Sequence, residues 1–123
     1  MKTREEMSEE VKKHAVSDAN SRAPYVIGAV IGIKNSITTR AQTAATFSCR
    51  NAKITGFEIT ITSESGGFGL DSADELIKSL SSDYVDSYAR TLCTAMENNN
   101  VKVKAAKIEK KKMPPDIKFF IEI

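Results

Sequence analysis

The side chains with the most chemical potential lie towards the end of one periodic stretch and in the strand-like segments after it. Tyr84, Tyr88, Arg90, Thr91, Asn98 and Asn99 combine aromatic, cationic and amide groups near residue 100. That is a common composition for a nucleotide pocket. Tyr84 and Tyr88 are four apart, a spacing that also suits two core aromatics on one helix face. Lys102, Lys104, Lys107, Lys110, Lys111, Lys112 and Lys118 fall within 17 residues, with Phe120 close behind. Lysines beside an exposed aromatic can hold phosphates and stack a base. The same lysines could simply guard a strand edge. Residues 65–70, Ser-Gly-Gly-Phe-Gly-Leu, precede the periodic stretch. They match neither a dinucleotide fingerprint nor a P-loop, and Asp71, Asp74 and Glu75 would repel a phosphate there.

Catalytic chemistry is thinly represented. His14 is the only histidine, so any triad would depend on it. Carboxylates are scattered over wet helix faces, and no spacing suits a metal. Cys49 and Cys93 form no Cys-x-x-Cys pair and read as two buried free thiols in a reducing compartment. The expectation is a protein without catalytic residues, metal or cofactor.

The stretch that must position these groups is residues 71–98. Leu76, Ile77, Leu80, Tyr84, Tyr88, Leu92, Ala95 and Met96 recur at spacings of three and four, one face of a long helix. At full length it would run roughly 40 Å. Ser72 and Glu75 have capping-box spacing, and Asn98–Asn100 supply a stop that tolerates left-handed backbone. Residues 3–19 predict a first helix, with Thr3 and Glu6 as its capping box. The Ser21-Arg22-Ala23-Pro24 sequence predicts its end, because the residue before proline disfavours the helical region.

Three strands are expected next, at 25–34, 41–50 and 53–63. The first, YVIGAVIGIK, is short, apolar and β-branched, with Gly28 and Gly32 as places for a bend or close approach. The second is rich in small residues. The third alternates Phe57, Ile59 and Ile61, with a bulge expected at Gly56. Short connections imply an antiparallel meander. Residues 101–109 and 117–123 predict a closing hairpin, with a bulge near Ala105 and with Ile117, Phe119 and Ile121 sharing a face. The expected fold class is α+β in the order α-β-β-β-α-β-β. It forms a single domain over 1–123, with the hairpin 101–123 on its own sheet or on a neighbouring subunit.

The chain has 123 residues, 41% hydrophobic and 28% charged, with net charge +2. That suffices for one globular core. No run of 18 apolar residues suggests a membrane span. The charged N-terminal sequence lacks the apolar core of a signal peptide, so a cytoplasmic location is expected, host cytoplasm if the chain is viral. Charge is uneven. Residues 64–97 carry seven acids against Lys78 and Arg90, whereas 100–123 carry seven lysines against three acids. This points to an anionic partner or to self-association between opposite faces.

Several features resemble the phage Thoeris anti-defence sponges. They are the element order, the Arg22-Ala23-Pro24-Tyr25-Val26-Ile27-Gly28 lead-in, Tyr88 on the long helix, Asn98 and Asn99 at its end, and the cations that follow. The resemblance implies an oligomer that sequesters a cyclic ADP-ribose-type signal without turning it over. Combined with the residue chemistry, it predicts a homo-oligomer holding a small phosphorylated ligand such as a cyclic nucleotide. Tyr88 would stack, Asn98 or Asn99 would read polar edges, and Arg22, Lys107, Lys111 or Lys112 would neutralise phosphate. The alternative is a module that binds protein or nucleic acid through the basic hairpin.

Overall fold

The computed structural model describes residues 3–48, 56–62, 73–109 and 116–122. The described elements run α1 (Arg4–Ser48), β1 (Gly56–Thr62), α2 (Glu75–Asn98), β2 (Lys102–Glu109) and β3 (Asp116–Glu122). The class is α+β, with an N-terminal helix, a long helix and a C-terminal hairpin. The segments 49–55, 63–72 and 110–115 lie outside the described residues. With them go Cys49, the glycine-rich loop at 65–70 and the lysines at 110–112.

The main departure from the sequence reading is α1. It is one helix of 45 residues, roughly 67 Å long, with Pro24 inside it. The segments 25–34 and 41–48 are helix, not strands, so there is no three-stranded meander. The physical reason lies in burial. Ser8, Ala15, Ala19, Ala23, Val26 and Val30 are buried at helical spacings that continue across Pro24. A continuous seam against a partner outweighs the ~3 kcal/mol that an interior proline costs. An apolar run such as 25–34 cannot be assigned to strand or helix from periodicity alone.

The partner is α2. Ser8 Oγ donates to Asp83 Oδ2 at 2.8 Å, Tyr84 Oη donates to Asp18, and Arg22 Nη1 lies 3.5 Å from Tyr88 Oη. Contacts advance together along both helices, so the two run parallel. The alanines at 15, 19 and 23 let α2 approach closely, and Tyr84, Val85, Tyr88, Ala89 and Leu92 fill the seam. Asp74, not Ser72, caps α2; its carboxylate accepts from the Leu76 and Ile77 amides at 2.9 and 3.4 Å. At the other end Asn100 adopts φ 63°, the left-handed stop expected of an asparagine. The Thr3 cap is present, with the Glu6 amide donating to Thr3 Oγ1 at 3.2 Å.

The sheet is antiparallel with strand order β1-β3-β2. The hairpin packs on its own chain, and its last strand lies at the centre. The expected irregularity in β2 is present as a register shift between Val103 and Ala105. From Gly56 onward β1 pairs in regular register, with Gly56 opposite Glu122; residues 53–55, on the other side of the expected bulge, lie outside the described residues. A Cβ at Gly56 would stand 2.5 Å from the Ile121 carbonyl oxygen, so close backbone approach explains this glycine. Ile61, Ile117, Phe119 and Ile121 face the helices and join Val26, Val30, Leu92 and Met96 in one core. Glu58, Thr60, Lys118 and Phe120 alternate with them towards the open face.

Gly28 and Gly32 are interior helical positions where an added Cβ would meet nothing within 4 Å. Replacing both with alanine is expected to raise stability by about 1–2 kcal/mol. Urea titration checks this, and a loss of stability would contradict a helix there.

Candidate functional site

Of the residues singled out from sequence, only Arg90, Thr91 and Asn98 come together, in one shallow hollow; the others lie elsewhere. Tyr88 is buried, 3% exposed, with its ring stacked on Tyr84 at 6.1 Å between centroids. Its faces are occupied by the helix–helix seam, so it does not offer the stacking platform expected of it. The structure gives the two tyrosines the core role that their four-residue spacing also allowed. Asn99 turns back on its own helix, its amide donating to the Ala95 carbonyl at 2.8 Å. Asn98 is exposed. It shares a shallow polar hollow of about 260 Å³ with Arg90 and Thr91 of α2 and Asn20 of α1. Lys107 is exposed on edge strand β2, opposite Lys118 in β3. Lys111 and Lys112 lie outside the described residues.

Arg22 belongs to a different place. It lines a larger cleft of about 480 Å³ between α1 and β1, with Tyr25, Val26, Ala29, Val30 and Ile33 above and residues 58–61 of β1 beside. The volume falls within the range of small-molecule sites. Its lining is mainly aliphatic, with Arg22, Glu58 and Thr60 as polar groups. Tyr25 stands at the cleft 80% exposed, a large ring with little of its surface packed. Sequence reasoning missed this cleft because residues 25–34 read as a strand. One signal was present: Tyr25, Ala29 and Ile33 share a four-residue spacing.

The cleft follows from the packing. The inner face of β1 carries Phe57, Ile59 and Ile61, of which only Ile61 is buried. α1 turns an apolar side towards this strand but packs mainly on α2. The aliphatic surfaces of α1 and β1 therefore face each other without closing.

Groups that could do covalent or acid–base chemistry are tied into the fold. Asp83 accepts from Ser8 and lies 3.9 Å from Arg4. Asp18 accepts from Tyr84. His14 is exposed on α1. Among the described residues, no cluster of His, Cys, Asp and Glu could hold a metal ion. No described helix is long and apolar enough to cross a membrane. Lys118 Nζ reaches Glu109 Oε1 at 2.8 Å; that hydrogen bond and charge hold its ammonium above the usual lysine range.

Cys93 is half-buried on α2, its Sγ 3.8 Å from Glu97 Oε1. Burial pushes its thiol up, and the Glu97 charge and hydrogen bond push it the same way. The thiolate is the nucleophile, so alkylation of Cys93 at pH 8 is expected to be slower than that of a cysteine in an unstructured peptide. Glu97→Gln is expected to speed it. Peptide-resolved mass spectrometry after iodoacetamide pulses measures this at Cys93 alone; equal rates would contradict the assignment.

No protein-family model, curated protein or solved structure matches the chain.

Proposed function

We propose that this protein is a non-enzymatic binding module whose working surface is the cleft between α1 and β1. The observation that carries the reading is the cleft itself: about 480 Å³ of aliphatic-lined space with an 80% exposed tyrosine at its wall. Large exposed apolar surface in a small domain marks an interaction site. A fragment screen by amide chemical-shift mapping tests the reading. Hits are expected to cluster on residues 22–33 and 58–61, and Ala29→Trp, which fills the cleft from an exposed position, is expected to remove them. Hits confined to other surfaces would overturn it.

One observation favours a small phosphorylated ligand as a second reading. Arg22 and Tyr25 bring a cation and an aromatic ring to the same cleft, the pair needed for a phosphate and a base. Glu58 opposes it with a negative charge. On this reading a nucleotide or cyclic nucleotide at millimolar concentration raises the melting temperature. Tyr25→Ala and Arg22→Gln each abolish that shift. Absence of any shift across such a panel would exclude the sequestration of phosphorylated signals and leave the cleft open to other ligands.

A further inference from the structure

We propose that the α1–β1 cleft is the place of a missing strand, and that its ligand is an extended peptide segment that adds to the edge of β1. The proposal rests on the reading of this cleft as the functional surface and names its partner. The first argument is geometric. A helix with its side chains is about 10 Å across, so two packed helices span roughly 20 Å. Neighbouring strands lie about 4.8 Å apart, so two helices roof about four strands. The described sheet has three. α2 packs over β2, at one end of the order β1-β3-β2. The shortfall therefore lies beyond β1, under α1, where the cleft is found.

The second argument comes from the two sheet edges. Among the described residues β1 pairs only with β3, leaving its outer row of backbone groups without a strand partner. β2 is the other edge, and it carries exposed Lys102, Lys104 and Lys107, the usual protection against strand addition. β1, GFEITIT, carries one charge, Glu58, and after Gly56 is otherwise β-branched and aromatic. Among the described residues, one edge is guarded by lysines and the other carries no such guard and no strand partner.

The third argument gives the ligand's chemistry. A strand laid against β1 presents alternate side chains to opposite faces. Those turned inward meet Val26, Ala29, Val30 and Ile33 on α1 and call for aliphatic groups. Those turned outward lie beside Glu58 and Thr60, both exposed, and call for a lysine or arginine opposite Glu58 and hydroxyl groups elsewhere. The partner is thus a segment of about five to seven residues with apolar–polar alternation and a basic residue on its polar face, bound mainly through main-chain hydrogen bonds.

The test uses the full chain, isotopically labelled, and the capped synthetic peptide TVKITVK. Two controls share its composition: a scrambled order, and a version N-methylated at alternate residues. N-methylation blocks one row of strand hydrogen bonds while leaving the side chains; both alternation phases are made. The expected result is shifts at residues 57–61 and amide exchange in β1 slowed by about tenfold or more. Scrambling and one of the two N-methylation phases each abolish binding. Ala29→Trp and Glu58→Lys are expected to weaken it by about tenfold or more. Equal binding of the scrambled or of both N-methylated peptides overturns the proposal. If residues of α1 in the cleft shift but β1 exchange does not slow, strand addition is wrong while the cleft reading stands. If no peptide shifts the cleft but small fragments do, the peptide class is wrong and the cleft reading again stands. A concentration-dependent dimer with β1 amides already protected, dissociated by Ala29→Trp, overturns it in favour of a second copy as occupant.

Discussion

Replacing Phe119 with alanine is expected to lower folding stability by about 3–5 kcal/mol. Phe119 lies in the central strand, between Ile59 of β1 and Ala106 of β2. It is 0% exposed and is the largest of the fully buried side chains. Its ring fills the space between the sheet and the two helices, in the same core cluster as Leu92 and Met96. Phe119 sits in the layer where helices and sheet meet, so neighbouring side chains cannot fill the void without shifting the layers. Against a total stability of about 5–15 kcal/mol for a single domain, the loss would leave a large unfolded fraction. Urea titration followed by circular dichroism measures it, with the midpoint falling and the slope unchanged. A cost below about 1 kcal/mol would mean that Phe119 does not occupy the core. Phe120→Ala, on the exposed face of the same strand, is the internal control and is expected to cost far less.

Replacing Ala29 with proline is expected to cost about 3 kcal/mol or more. Ala29 is exposed on α1, so the substitution removes no core side chain and reports on the backbone. A proline there has no N–H to donate to the Tyr25 carbonyl and sets its ring against that carbonyl. The natural Pro24 shows that α1 can carry one such defect where the seam continues on both sides, through Ala19 and Ala23 before it and Val26 and Val30 after it. A second defect five residues on would isolate Val26 between two breaks. Loss of helical ellipticity together with a lower urea midpoint is the expected signature. If residues 25–34 were a strand, as the sequence suggested, the substitution would remove no helical signal.

These two substitutions mark where the sequence was legible and where it was not. β3 could be read directly. Ile117, Phe119 and Ile121 alternate with Lys118, Phe120 and Glu122, and the structure buries the first set beneath the helices. A strand with one wet face displays its period in its own residues. α2 was equally plain, because its apolar residues recur at helical spacing from Leu76 to Met96, about six turns, and asparagines close it. α1 was misread because its second half is apolar on several sides. Tyr25, Ile31 and Ile33 are exposed while Val26 and Val30 are buried, so no single face stood out. Local signals at Pro24, Gly28 and Gly32 all argued against a helix.

The candidate site suffered from the same cause. Chemistry-bearing residues close in sequence were expected to meet at the end of α2. Folding turned Tyr88 into the helix seam, Asn99 onto its own carbonyls and Lys107 onto an edge strand. Arg22 and Tyr25 share a cleft with residues 58–61 of β1 instead, across more than thirty residues of chain.

From the sequence alone follow the α+β class, the long helix α2 with its asparagine stop, the terminal hairpin with its irregular β2, and the buried face of β3. Each is a property of residues within a few positions of one another, where backbone period and side-chain chemistry act together. Only the tertiary structure decided that residues 25–34 are helical, that β3 rather than a meander strand is central, and that a cleft lies between α1 and β1. Those outcomes depend on burial against partners that can lie sixty or more residues away, as Asp18 and Arg22 do from Tyr84 and Tyr88. Burial energy of that kind overrides local preference without leaving a local trace.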